Sequence, residues 1–230
     1  MKTPRLRWQD RLRAKALTAG MFCVLAAAFV PWPPLASSCL GARRPPEHAW
    51  VVRVFDGDTV LLDTGDKVRY LGIDAPEVDH EGGPSDCYAL QAWRRNQELV
   101  EGRKVLLRYD QVLRDHYGRL LAYVHLPDGS CVNARLLREG CAVLFRTPKG
   151  FGRFDGFLRA QRDAMKAKAG LWGACRVKPA PFYVGNKRSW VFHRPSCPFG
   201  TQTAERNVVR FRSRWDALWE GYRPCRRCRP

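Results

Sequence analysis

The chain is short of acidic residues, of methionine and of long apolar runs. Asp and Glu number 22 against 40 Lys and Arg, Met only 3, and the longest apolar stretch is the 15 residues from Ala16 to Val30. A membrane-spanning helix needs roughly 20 such residues, so this stretch is short for a span. Internal repeats and low-complexity segments are absent, and 16 Pro and 19 Gly are too few for a collagen-like chain. The 45% apolar fraction excludes an intrinsically disordered protein. At 230 residues the chain can hold one medium domain, or a modest domain with a small satellite, but not a multidomain machine.

The formal charge of +18 would call for a polyanionic partner if it lay on one folded surface. Instead it divides into +7 over residues 1–46, +3 over 47–181 and +8 over 182–230. The middle of the chain is nearly balanced and has to be read from its residues.

Residues 1–38 read as a leader, with a basic flank, the apolar stretch and a small-residue exit at Ala36-Ser37-Ser38. That is the order of a secretory signal peptide, a membrane anchor being the other form, and it predicts export to a bacterial periplasm, cell envelope or extracellular space. Cleavage there would leave Cys39 first and open to lipidation, although Ala36 stands where a lipoprotein signal usually has Leu. Of the 9 cysteines, Cys87, Cys131, Cys141 and Cys175 lie in the middle region and allow up to two disulfides, with free thiols as the alternative. Cys131 and Cys141 bracket a predicted helix of about eight residues, too long a separation for a bridge, so Cys87 with Cys175 is the first pairing to test.

From Trp50 the pattern is of short strands and turn signals: Val51 to Phe55, Val60 to Leu62, a hairpin turn at Asp63 to Asp66, then Val68 to Ile73. A helix is predicted from about Tyr88 to Glu101, strands at Val105 to Tyr109 and Leu120 to Leu126, and helices at Val132 to Glu139 and Phe154 to Ala169. Five short strands with three helices inserted and appended predict an α+β protein built on a small OB-fold barrel, spanning 47–176. Pro-rich residues 177–183 read as a linker to a tail at 184–230.

Acids gather at strand ends: Asp56 and Asp58 in FDGDTV, Asp74 in GIDAPE, and Glu77 three residues on. Oxygen donors of this kind suit Ca²⁺ or Mg²⁺ rather than zinc. Arg69 precedes Asp74 on its strand and Arg119 lies in DHYGRL. Guanidinium forks beside carboxylates and a divalent cation are what a phosphodiester under attack requires. Taken singly, an Asp-Gly turn or a strand-end Arg is ordinary hairpin or surface chemistry, and a non-catalytic OB-fold nucleic-acid-binding protein is the alternative. The joint occurrence in order is what departs from it.

That order, FDGDTVLL, VRYLGIDAPE and DHYGRLLAYV, resembles the staphylococcal nuclease (thermonuclease) family over Trp50 to Trp172. The resemblance implies a five-stranded OB barrel and a Ca²⁺-dependent phosphodiesterase acting on DNA and RNA to leave 3′-phosphates. By motif, Asp58, Asp74 and the Ala75 carbonyl would hold calcium, with Asp56 in its outer shell. Glu77 would be the general base, Arg69 and Arg119 would stabilise the transition state, and Tyr117 would lie near the nucleotide. Ala75 replaces the prototype's Thr at a position that gives only a carbonyl. The CAVLFRTPKG segment lacks the prototype's substrate-contacting Tyr, leaving stacking to Phe145 or to nothing.

In the tail, His193-x₃-Cys197 and Cys225-x₂-Cys228, with 27 residues between the pairs, supply four soft ligands in two turns, the pattern of a closed structural zinc site. So short a segment with few large aliphatics needs such a staple; a disulfide between two of the cysteines, or a cap without ligand, is the alternative. Its flanks, FHRPSCP and GYRPCRRC, resemble the metal-binding domain of Ada-type DNA alkylation-response proteins. In that family the first ligand is a methyl-accepting cysteine; here it is His193, so methyl transfer is not implied. A zinc-stapled basic module remains, with Arg206, Arg210, Arg212 and Arg214 as expected phosphate contacts. The sequence thus predicts a monomeric, exported, calcium-dependent nuclease with a zinc module, whose partners are DNA and/or RNA and which meets a membrane only through its leader or a lipid anchor.

Overall fold

The computed structural model describes residues 44–230; the leader and Cys39 lie outside the described residues. The first three strands, β1 (His48–Val54), β2 (Thr59–Leu62) and β3 (Lys67–Tyr70), form an antiparallel meander. After them come β4 (Ile73–Asp74), α1 (Ala89–Val100), β5 (Lys104–Arg114) and β6 (Leu120–His125). Strands close in the order β1-β2-β3-β6-β5, with β3 and β6 parallel, the OB-fold order expected. Val51, Val60, Leu62, Val68, Leu107, Leu120 and Val124 fill the barrel and are essentially inaccessible to water.

α2 (Val132–Arg138), β7 (Val143–Leu144), α3 (Phe154–Lys166) and the single turn α4 (Leu171–Ala174) complete this part. Three full helices were expected, and α4 adds one turn. The expected strand Val68 to Ile73 divides instead, because Gly72 turns the chain at φ 81° against the Phe151 ring and frees Ile73–Asp74 to pair with β7. β5 runs on to Arg114, five residues past the expected end, its outer part half-buried to exposed.

Cys87 is bonded to Cys175, their Cα atoms 5.9 Å apart, while Cys131 and Cys141 at the two ends of α2 are free. Among the described residues no helix is long and apolar enough to cross a membrane.

The tail carries a four-stranded sheet that the sequence reading did not anticipate. Its strands are β8 (Tyr183–Asn186), β9 (Val191–His193), β10 (Val208–Phe211) and β11 (Arg223–Pro224), in the order β10-β8-β9-β11. The one-turn α5 (Pro198–Thr201) and α6 (Arg214–Trp219) complete it; Ser213 and Asp216 cap α6 reciprocally. Tyr183, Phe192, Phe211, Leu218 and Tyr222 pack with Met165 of α3, so the tail's core is completed by a barrel helix. Buried Gln161 of α3 joins the two parts: its Oε1 accepts from Leu144 N–H at 2.7 Å and its Nε2 donates to the Leu218 carbonyl at 2.7 Å.

Candidate active site and metal centre

The Asp56–Asp58 loop can approach the strand end at Asp74 because residue 57 is glycine. A Cβ there would lie 2.5 Å from that of Ala75 and 3.0 Å from that of Ala92. The loop is then held from beneath: buried Asn96 of α1 donates to the Asp56 carbonyl at 3.0 Å and accepts from Tyr70 Oη at 2.9 Å. Asp58 N–H donates to Asp56 Oδ1 at 2.8 Å, and Ala75 N–H donates to Asp58 Oδ2 at 2.6 Å. Nothing in the sequence pointed to Asn96 or Tyr70 beyond an amide on an otherwise apolar helix face.

Arg69 projects from β3 into the middle of these acids, pairing with Asp58 and, through Nη2, with Asp74 Oδ1 at 2.6 Å. Burial pulls its pKa down while Asp74 and Asp56 oppose this; a guanidinium remains charged regardless. Burial raises the Asp56 carboxyl, against the nearby charges of Arg69 and Arg119. Arg119 is aimed by Asp115, which takes its Nε at 2.7 Å and its backbone N–H at 3.0 Å, and it lies over the exposed Tyr117 ring at 5.4 Å. Glu77 stands at the open edge of the group, 62% exposed, with its carboxyl raised by partial burial and then by Asp56. Asp58 and Asp74 thus meet on Arg69 with Glu77 beside them, and the charge of Arg119, held by Asp115, reaches Arg69 and Asp56. Oxygen donors only, two of them already converged on one cation, are a set that fits a hard divalent ion.

Phe145 lies beneath Arg223, whose guanidinium sits 4.4 Å from its ring centre, so that face is covered by the tail. Arg206, Arg210 and Arg212 are exposed, Arg210 lying 5.2 Å over Phe182. Arg214 differs from them: it is partly buried, and its Nε donates to the Pro230 carbonyl at 2.8 Å.

The tail's four sulfur and nitrogen donors, from His193, Cys197, Cys225 and Cys228, all lie within 4.8 Å of one another. Three of these residues are buried and Cys228 is half-buried. Donors of a tetrahedral zinc stand roughly 3.3 to 3.8 Å apart, and His193 Nδ1 to Cys197 Sγ is 3.5 Å. The cluster could hold zinc.

One residue that the sequence reading did not single out reaches the acidic cleft. Arg226, between Cys225 and Cys228, places Nη2 at 2.7 Å from Asp74 Oδ1 and 3.5 Å from Glu77 Oε1. No local sequence signal gives this contact, which spans 152 residues.

Comparison with known proteins agrees with this geometry. Residues 67–174 match the family model described as staphylococcal nuclease homologue, and residues 178–230 that of the metal binding domain of Ada. The thermonuclease of Staphylococcus hyicus is 31% identical over 168 residues, 69% of this chain and 98% of that protein. The Staphylococcus intermedius thermonuclease is 35% identical over 130 residues, 55% of this chain and 76% of that one. The SPbeta prophage-derived endonuclease YokF of Bacillus subtilis (strain 168) is 38% identical over 125 residues, which are 52% of this chain but 42% of that longer protein. With its barrel order, its acid and arginine cleft and a relative matched over nearly its whole length, the chain belongs to the staphylococcal nuclease family.

Proposed function

We propose that the protein is an exported, calcium-dependent endonuclease that hydrolyses phosphodiester bonds of DNA and/or RNA to 3′-phosphate products, with a zinc-stapled module adding affinity for nucleic acid. The observation that carries this reading is the convergence of Asp58 and Asp74 on Arg69, with Glu77 tied to the same group through Arg226. A calcium ion held by Asp58, Asp74 and the Ala75 carbonyl, with Asp56 behind them, would draw charge from the scissile phosphate. Glu77, at the open edge, takes a proton from the attacking water as the new P–O bond forms. Arg69 and Arg119 donate to the equatorial oxygens, where negative charge grows. The bond to the 5′ oxygen breaks in line, and that oxygen picks up a proton from solvent. Export is supported by the leader pattern and by the Cys87–Cys175 disulfide, which suits an oxidising compartment.

The test is cleavage of plasmid and single-stranded DNA by the full chain with and without added Ca²⁺. Calcium-dependent cutting with 3′-phosphate ends is expected; intact DNA would defeat the enzyme reading. Glu77→Gln should lower turnover about 10²- to 10⁴-fold while DNA binding persists, and unchanged turnover would remove Glu77 from the mechanism.

A further inference from the structure

Between the barrel and the tail runs a cavity of about 390 Å³ with Asp74, Glu77 and Asp86 on one side and Arg214, Arg226 and Arg229 on the other. Two arginines of the metal knuckle cross it. Besides the Arg226 contacts, Arg229 Nη1 lies 3.1 Å from Asp86 Oδ1, and the other Asp86 oxygen accepts from Glu77 N–H at 3.3 Å. The knuckle therefore grips the Glu77 loop as well as reaching the cleft. Its own geometry is fixed by Cys225 N–H donating to the Phe192 carbonyl at 3.0 Å, by Arg229 N–H donating to the Cys225 carbonyl at 2.9 Å, and by the two cysteines of the donor cluster that flank Arg226.

We infer that Arg226 is a substrate-binding residue of the nuclease centre, a third guanidinium that the zinc knuckle delivers to the phosphate. The inference rests on the nuclease reading above. Charge supplies the reason. Asp56, Asp58, Asp74, Glu77 and the Asp115 that pairs with Arg119 face Arg69, Arg119 and Arg226, which leaves two negative charges with all groups ionised; a divalent cation brings the site to neutrality. Without Arg226 the loaded site would keep one negative charge and repel a phosphodiester. Geometry agrees. Both contacts of Arg226 use Nη2 alone, and its side chain is 61% exposed, so Nη1 and Nε make no hydrogen bond among the described residues and remain for a phosphate. Once Asp74 is committed to a metal ion and Glu77 to a proton, the phosphate is the anion left for Arg226.

The experiment measures binding apart from cutting. The full-length Glu77→Gln protein, loaded with Ca²⁺ and Zn²⁺, is titrated with a short labelled single-stranded oligodeoxynucleotide over a range of salt. Adding Arg226→Ala should weaken binding about tenfold and flatten the dependence of log K on log salt by about 0.7. Arg226→Lys should restore the salt slope but only part of the affinity. Arg227→Ala removes an equal charge from the same knuckle, where its guanidinium lies 5.3 Å over the Phe199 ring, and should cost clearly less. Unchanged binding in Arg226→Ala overturns the inference, and so do equal losses in the two alanine variants. Tighter binding also overturns it, and would make Arg226 a self-blocking clamp. Cleavage by the unsubstituted chain is followed in parallel: a chain that cuts DNA while Arg226→Ala binds like its parent sinks this inference alone, whereas a chain that never cuts sinks the nuclease reading.

Discussion

The barrel and the tail are held together by different means. The barrel buries one contiguous apolar cluster that runs from Ala49 to Ala160, wraps it in a closed sheet and leaves no unpaired sheet edge around the ring. The tail has two small clusters. One borrows Met165 from α3, and the other consists of Val191 with three of the metal-site cysteines. The lesson is one of scale: a segment this small lacks the apolar area to offset its chain entropy, so a neighbouring helix and, in the proposed reading, a zinc ion supply the difference.

The largest test of that contrast is removal of the zinc proposed for the donor cluster. Structural zinc contributes on the order of 10 kcal/mol, so chelation, or Cys225→Ser, should abolish hydrogen-exchange protection in β8 to β11 while the barrel strands keep theirs. Equal loss in both parts would show that the two share one cooperative unit and break the comparison. Next in size is the Cys87–Cys175 bridge, whose partners are 88 residues apart. In the chain-entropy account, closing a loop of that length stabilises by about 4 to 5 kcal/mol. Because both cysteines belong to the barrel part, Cys87→Ala with Cys175→Ala should lower the barrel's melting transition in the zinc-loaded chain.

The smallest effect belongs to Glu139, which clamps α1 to α2 by accepting from Arg95 at 2.6 and 2.9 Å and from Arg135 at 2.9 Å. Arg95, then Arg135, holds its carboxyl below the usual range, against burial. A depressed folded pKa gives stability that is complete above the unfolded value of roughly 4.3 and is lost as pH falls through the folded one. Glu139 and its partners are about a third exposed, so Glu139→Gln should cost under about 1 kcal/mol at neutral pH. Denaturant midpoints for the two proteins should converge once pH falls below the depressed folded pKa; a gap that persists once the folded carboxyl is protonated would show that packing, and not charge, joins the helices.

How much of this was legible beforehand depended on whether the physics was local. Turn residues such as Asp63 to Asp66, and β-branched runs, announce the barrel strands one by one. FDGDTV, GIDAPE and DHYGRL place the cleft's acids and arginines at strand ends. β4 and β7 are two residues each and exist only because Gly72 turns the chain, a tertiary event that leaves no periodicity. The tail's strands are two to four residues long, and β10 and β11 carry Arg or Pro, so their alternation falls below what a pattern can register. Arg226 was hidden for another reason. Its neighbours in the chain are metal-site cysteines, and its partners in space lie more than 140 residues earlier.

Gln161 has a reach beyond the two hydrogen bonds it makes. Leu144, whose N–H it receives, sits in β7 opposite Ile73, and the next residue of that partner strand is Asp74. A short relay of backbone partners thus runs from the carbonyl end of α6 to an acid of the cleft. Clipping the chain at residue 176 would do more than subtract an accessory: it would strip Gln161 Nε2 of its acceptor, bare the flank of Met165 and slacken the seat of Asp74. The appended module is in that sense a rear wall of the reaction chamber.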